Sequence, residues 1–110
     1  MEITHIDITP VNQGKLRAYV NITFDDSFKI RGLKIIYDGK RMFVAMPNKK
    51  GNNGLFRDVA HPTSQDSRRT IEGIVLWAFV DSLNEEELLS YADQHKALKT
   101  IQDKDLMDLE

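Results

Sequence analysis

At 110 residues, with 41% hydrophobic and 29% charged residues and no cysteine, the chain has one domain's worth of ordinary globular composition. That excludes wholesale disorder, fibrous repeats, disulfides and thiolate chemistry. A net charge of −2 conceals a segregation: residues 29–57 hold eight Lys and Arg against Asp38 alone, and residues 81–110 hold nine acids against three lysines; such asymmetry points to a polyanion-binding surface followed by an acidic tail.

In chain order, Glu2 to Thr9 predicts a first strand through the alternating Ile6 and Ile8, stopped by Pro10, with Val11 to Gly14 as a loop. Leu16, Ala18, Val20, Ile22 and Phe24 alternate strictly, so this strand has one face on a core. Asp25-Asp26-Ser27 is a turn, and residues 28–36 return as its antiparallel partner. There the apolar parity slips between Ile30 and Leu33, and Arg31-Gly32 is the place for a β-bulge. Asp38-Gly39 marks the next hairpin turn, and Met42 to Met46 forms a strand ended by Pro47. Asn48 to Gly54, polar with two glycines, reads as a mobile loop, and Leu55 to Ala60 as a short strand.

Thr63 with Asp66 resembles a capping box. The helix it opens carries Ile71, Ile74, Val75 and Ala78 as a buried stripe, broadened by Leu76, Trp77 and Val80 until most sides need cover. Asn84 with Glu87 is a second capping signature, followed by a weaker stripe through Leu88, Ala92, His95 and Leu98 or Lys99. Gln102 to Glu110 is a short acidic end expected to fray. The expected fold is therefore α+β: a four- to five-stranded antiparallel sheet followed by two C-terminal helices, with residues 1–83 as the core domain and 84–110 as a C-terminal helix and acidic tail. A core this small is usefully enlarged by a second subunit, so a homodimer is expected.

Catalysis has little to stand on. His5, His61 and His95 lie in three different elements without metal-ligand spacing. Asp58 and His61 lack a recognisable nucleophile, which leaves His61 to satisfy backbone groups at the helix start. Adjacent Asp25 and Asp26 are explained by the turn. The expectation is a protein that is not an enzyme, with no cofactor, metal or small-molecule substrate. No apolar run approaches the ~20 residues that cross a bilayer, and Met1 to His5 lacks the features of a signal peptide. A cytoplasmic protein is expected.

Nucleic-acid binding is better supported. Lys49 and Lys50 lie on the glycine-bearing loop, with Lys40, Arg41 and Arg57 flanking it in sequence. Arg68 and Arg69 fall in the first turns of a helix, where cations oppose the macrodipole, so their placement suggests a use beyond helix stability. The plainer readings are that Arg68 and Arg69 pair with Asp66 and Glu72, and that the other cations solvate exposed sheet. Tyr19 and Phe28 are candidate stacking aromatics, although aromatics of a small sheet more often enter the core.

The run Gly39-Lys40-Arg41-Met42-Phe43-Val44-Ala45-Met46-Pro47-Asn48-Lys49-Lys50, followed by Gly54-Leu55-Phe56-Arg57-Asp58-Val59-Ala60-His61-Pro62, strongly resembles the SpoVG family. Weaker similarity extends from Ile3 to about residue 80. The resemblance implies a small bacterial cytoplasmic protein with an antiparallel sheet and C-terminal helices, a dimer formed through the sheet, and DNA and RNA binding in gene regulation, septation and sporulation. It carries the basic pair after Met-Pro onto Lys49 and Lys50, a second basic position onto Arg57, and a basic position at the helix start onto Arg68 or Arg69. The Gly51-Asn52-Asn53-Gly54 loop and Thr63 depart from the family pattern. The competing expectation is a protein–protein adaptor in cell division that works through the sheet edge or the acidic C-terminal segment.

Overall fold

The computed structural model describes residues 1–90. Its centre is a four-stranded antiparallel meander of β1 (Ile3–Gln13), β2 (Leu16–Phe24), β3 (Phe28–Tyr37) and β4 (Met42–Ala45), in spatial order β1-β2-β3-β4. A separate two-stranded hairpin, β5 (Asn48–Lys50) and β6 (Phe56–Asp58), leads to α1 (Gln65–Ser82) and α2 (Glu85–Ser90). The α+β architecture matches the expectation, with the fifth and sixth strands forming a sheet of their own.

The period-2 alternation of β2 has the anticipated consequence. Ala18, Val20, Ile22 and Phe24 are buried together with Leu33 and Ile35 of β3, Met42 and Val44 of β4, and the following Met46. Val75, Leu76 and Phe79 of α1 complete this cluster, so the helix seals one face of the sheet. Each large side chain withdrawn from water in this way contributes roughly 1.5–3 kcal/mol. The opposite face keeps the intervening polar residues of β2.

The slip in parity is a bulge. Val20 pairs with Leu33 and Ile22 with Ile30, so one residue of β2, Asn21, faces both Arg31 and Gly32. Gly32 has φ +86, a conformation natural to glycine, and its amide donates to Asn21 Oδ1 at 3.3 Å. Thus Ile30 and Leu33 both reach the core side despite their odd spacing. The three-residue loop before it, Asp25 to Ser27, has Asp25 and Asp26 at φ 51 and 50, inside a turn closed by the Ser27 amide donating to the Phe24 carbonyl at 2.9 Å. Asp25 is also tied to the chain's start, its carboxylate accepting from the Glu2 amide at 2.9 Å.

Several expectations are corrected. β1 does not stop at Pro10 but continues to Gln13, with Pro10 opposite Ala18. β1 is an edge strand, where a residue lacking an amide hydrogen costs the ladder nothing. The segment read as a mobile loop is largely a hairpin, with Asn48, Lys49 and Lys50 opposite Asp58, Arg57 and Phe56. The last strand is accordingly confined to Phe56–Asp58. Ser64 caps α1 in place of Thr63, its hydroxyl accepting from the Ser67 amide at 3.1 Å.

Nor is α1 covered on most sides: Phe79, absent from the expected stripe, is buried, while Trp77 is 45% exposed. At about 100° per residue, Trp77 points away from the direction shared by Val75 and Phe79. At α2 the second capping box forms as expected. The Asn84 amide donates to Glu87 Oε1 at 3.0 Å and the Glu87 amide to Asn84 Oδ1 at 2.8 Å. Ala92, His95, Leu98, Lys99 and the acidic end lie outside the described residues.

Phe79→Ala is expected to cost about 3–5 kcal/mol by leaving a cavity under the sheet, read as a lowered urea midpoint. Gly32→Val forces a β-branched residue to positive φ and is expected to cost at least about 1 kcal/mol in the same measurement. A midpoint unchanged by Gly32→Val would show that the bulge is not needed.

Candidate nucleic-acid interface

The basic pair and Arg57 sit on the β5–β6 hairpin, whose six strand residues are all exposed. Lys49 is directly opposite Arg57, and Lys50 opposite Phe56. Opposed residues of an antiparallel pair share a face and neighbours alternate. One face of the ribbon therefore carries Lys49 and Arg57, and the other carries Lys50, Phe56, Asn48 and Asp58. The ribbon presents cations in both directions.

The hairpin tip is built rather than slack. The Gly51 amide donates to the Leu55 carbonyl at 2.8 Å, the Gly54 amide to the Gly51 carbonyl at 3.0 Å, and the Leu55 amide to Asn53 Oδ1 at 3.1 Å. Gly54 takes φ +81, which accounts for a glycine there. At the base, the Val59 amide donates to the Pro47 carbonyl at 2.8 Å and extends the ladder. Along the described chain, Leu55, Phe56 and Val59 are 62%, 68% and 64% exposed, so the basic hairpin also carries apolar surface.

The hairpin base adjoins the start of α1. Pro47, Ala60 and Pro62 share the wall of a mostly apolar cavity of about 310 Å³ with Ser67 and Ile71 of the helix. Neither Arg68 nor Arg69 lines this cavity, and nor does any strand residue of the hairpin. Arg68 is half-buried. Arg69 lies 3.9 Å from the Asp66 carboxylate, an exposed i,i+3 pair of the kind that contributes little. The plainer reading of Arg69 is thus partly realised. His61 Nδ1 lies 2.9 Å from the Pro62 carbonyl oxygen, ahead of the helix that Ser64 caps.

Lys40 and Arg41 lie elsewhere. They belong to the β3–β4 turn, and β4 separates them from the hairpin by four residues, about 13 Å of strand. Asp38 organises this turn by accepting from the Lys40 and Arg41 amides, each at 2.9 Å. The Arg41 guanidinium lies over the Phe43 ring, 4.9 Å from its centroid. The same end of the sheet holds Lys15, whose carbonyl accepts from the Tyr37 amide at 2.9 Å.

Two features escaped sequence reasoning. Lys34 sits between Tyr19 of β2 and Ala45 of β4 in the strand register, on the face away from α1. Its signal was the parity of β2: Tyr19 is out of phase with the core residues and is 43% exposed. The second is Phe56, hidden because the segment before it was read as loop, so its cross-strand neighbour was not identified. Phe28, 63% exposed at the start of β3, likewise stays out of the core. Among the described residues, no three His, Asp or Glu side chains gather where a metal ion would sit, and no helix is long and apolar enough to cross a membrane.

The Arg41 amide, then the Lys40 amide, hold the Asp38 carboxyl below its ordinary value, with the Arg41 and Lys15 charges adding to the effect. A depressed folded pKa means that this turn's contribution is present above the unfolded carboxylate pKa and is lost as pH falls through the folded one. In an NMR titration the Asp38 carboxyl is expected to inflect below the ~3.9 of a free aspartate. An inflection at or above that value would contradict the turn geometry.

A family model described as SpoVG matches residues 1–81. A Bdellovibrio bacteriovorus protein is 42% identical over 99 residues, covering 90% of this chain and 87% of the relative. An Anaeromyxobacter protein is 46% identical over 76 residues, covering 69% and 78%. One from Myxococcus xanthus is 40% identical over 87 residues, covering 79% and 88%. All three bear the name "Putative septation protein SpoVG". With its meander, its basic hairpin and a match over residues 1–81, this chain belongs to the SpoVG family.

Proposed function

We propose that the protein is a site-selective DNA- and RNA-binding regulator that works as a homodimer in the bacterial cytoplasm, with the β5–β6 hairpin as its phosphate-contacting element. The observation that carries this reading is the hairpin itself: Lys49, Lys50 and Arg57 are among six exposed strand residues that lie outside the described core. Cations held on a ribbon away from the body can approach a phosphate backbone without the body colliding with it. In this reading Arg68 and Arg69, in the first turns of the helix that follows the hairpin, add contacts from a second element.

Dimerisation through the sheet fits the strand order. β1 and β4 are the two edges, and β4 leads almost directly into the hairpin. Antiparallel pairing of β4 with its copy about a twofold axis sets the hairpin of one protomer beside the β3–β4 turn of the other. The distance that separates Lys40 and Arg41 from Lys49 and Lys50 within one chain is thereby closed between chains. The name of the relatives attaches the family to septation, and a regulator of genes for division is the role this surface fits.

Two hairpins offer six cations. Neutralising about six phosphates of a duplex gives a log–log salt slope near −5, and removing Lys49 and Lys50 from both copies leaves a slope near −2. Salt-titrated gel shifts of the wild type and Lys49→Ala/Lys50→Ala measure this directly. A flat salt response, or a double mutant with the wild-type slope, would overturn the reading. Sedimentation at the binding concentration is expected to give a dimer, and a monomer bound at one copy per site would remove the twofold arrangement.

A further inference from the structure

We infer that Phe56 is a base-stacking platform, and that the hairpin face it shares with Lys50 takes single-stranded nucleic acid in preference to duplex; this rests on the nucleic-acid reading above and names the form of ligand that one face selects. Phe56 is 68% exposed, on a strand whose three residues are all open to solvent. It has no packing role in the described core. Its directly opposed neighbour is Lys50, so an aromatic and a lysine side chain leave the same face of the ribbon, with Cβ atoms about 5 Å apart in such a pair.

An exposed phenylalanine on a two-stranded ribbon is costly on both counts. Two strands alone are marginally stable in water, and the ring gains nothing from burial in the free protein. A ligand that covers the ring and also seeks positive charge answers both. An unpaired nucleotide does so, offering a flat base for the ring and a phosphate for Lys50. In a duplex the bases are stacked on one another and only their edges are accessible, so Phe56 finds no partner face there. The opposite face, Lys49 with Arg57, has no aromatic and contacts phosphate in either form. The chemistry of the pair favours nucleic acid over a purely apolar partner, because Lys50 and the nearby Lys49 and Arg57 would otherwise be desolvated without a counter-charge.

The test measures fluorescence anisotropy of the full chain with a labelled 20-nucleotide single strand and with the duplex of the same sequence, using wild type, Phe56→Ala and Phe56→Trp. Phe56→Ala is expected to weaken single-strand binding about tenfold or more. It should leave duplex binding within about twofold and the salt slope unchanged, since no charge is removed. Phe56→Trp, which keeps a π-face, is expected to restore single-strand affinity. Circular dichroism melting confirms that an exposed position has not altered the fold.

Salt-sensitive binding with Phe56→Ala equal to wild type on the single strand would overturn the stacking inference alone. Equal losses on both probes, or failure of Phe56→Trp to restore affinity, would overturn it too. A Phe56→Ala protein that loses its dimer in sedimentation would show instead that the ring is a contact between copies. Absence of binding to either probe, or binding without salt dependence, would remove the nucleic-acid reading and this inference with it.

Discussion

The structure depends on the sealing of one face of the meander by α1. Ala18, Val20, Ile22, Leu33, Ile35 and Val44 present a continuous apolar surface, and Val75, Leu76 and Phe79 close it. Among the described residues twelve apolar side chains make up this buried set, and no charged or polar residue joins it. With so small a core, each large side chain carries a sizeable share of the stability. The geometry of the proposed binding surface follows. Once β4 is fixed as an edge and α1 is fixed over the sheet, the chain between them must leave the body at Pro47 and return at His61, and the hairpin is that excursion.

Electrostatics then assigns the excursion its character. The hairpin holds three cations against Asp58, and among the described residues its six strand positions are exposed and outside the core cluster. Cations at the other end of β4 belong to a turn with its own organiser, Asp38, which accepts two amide hydrogen bonds and places Arg41 against Phe43. Two basic regions separated by one short strand make a better case for an extended polyanion than a single compact cluster would. A small anion would meet one region, whereas the proposed nucleic acid would span both.

Most of the fold was legible because its signals are local. Strict alternation identified β2, Asp-Asp and Asp-Gly identified turns, and the slipped parity at Arg31-Gly32 located a bulge that positive φ and the Asn21 side chain confirm. What was missed required knowledge of neighbours. Pro10 looked like a stop because whether its strand lies at an edge is a tertiary fact. Asn48 to Lys50 has no hydrophobic period, so its pairing with Phe56–Asp58 was invisible although the glycines of the turn were in view. The candidate cations were grouped by composition but not by arrangement: the sequence put Lys40, Arg41, Lys49, Lys50 and Arg57 together, while the structure divides them between two ends of β4.

The central claim, that the hairpin is the part of the molecule that meets phosphate, is tested most directly by following backbone amide chemical shifts while an oligonucleotide is added. The account predicts that the largest perturbations fall on residues 48–58 and on Arg68 and Arg69, and that they fade together as salt is raised. Perturbations that leave the hairpin silent and gather on the acidic turn at Asp25 and Asp26, or on the exposed side of α1 around Trp77, would contradict it.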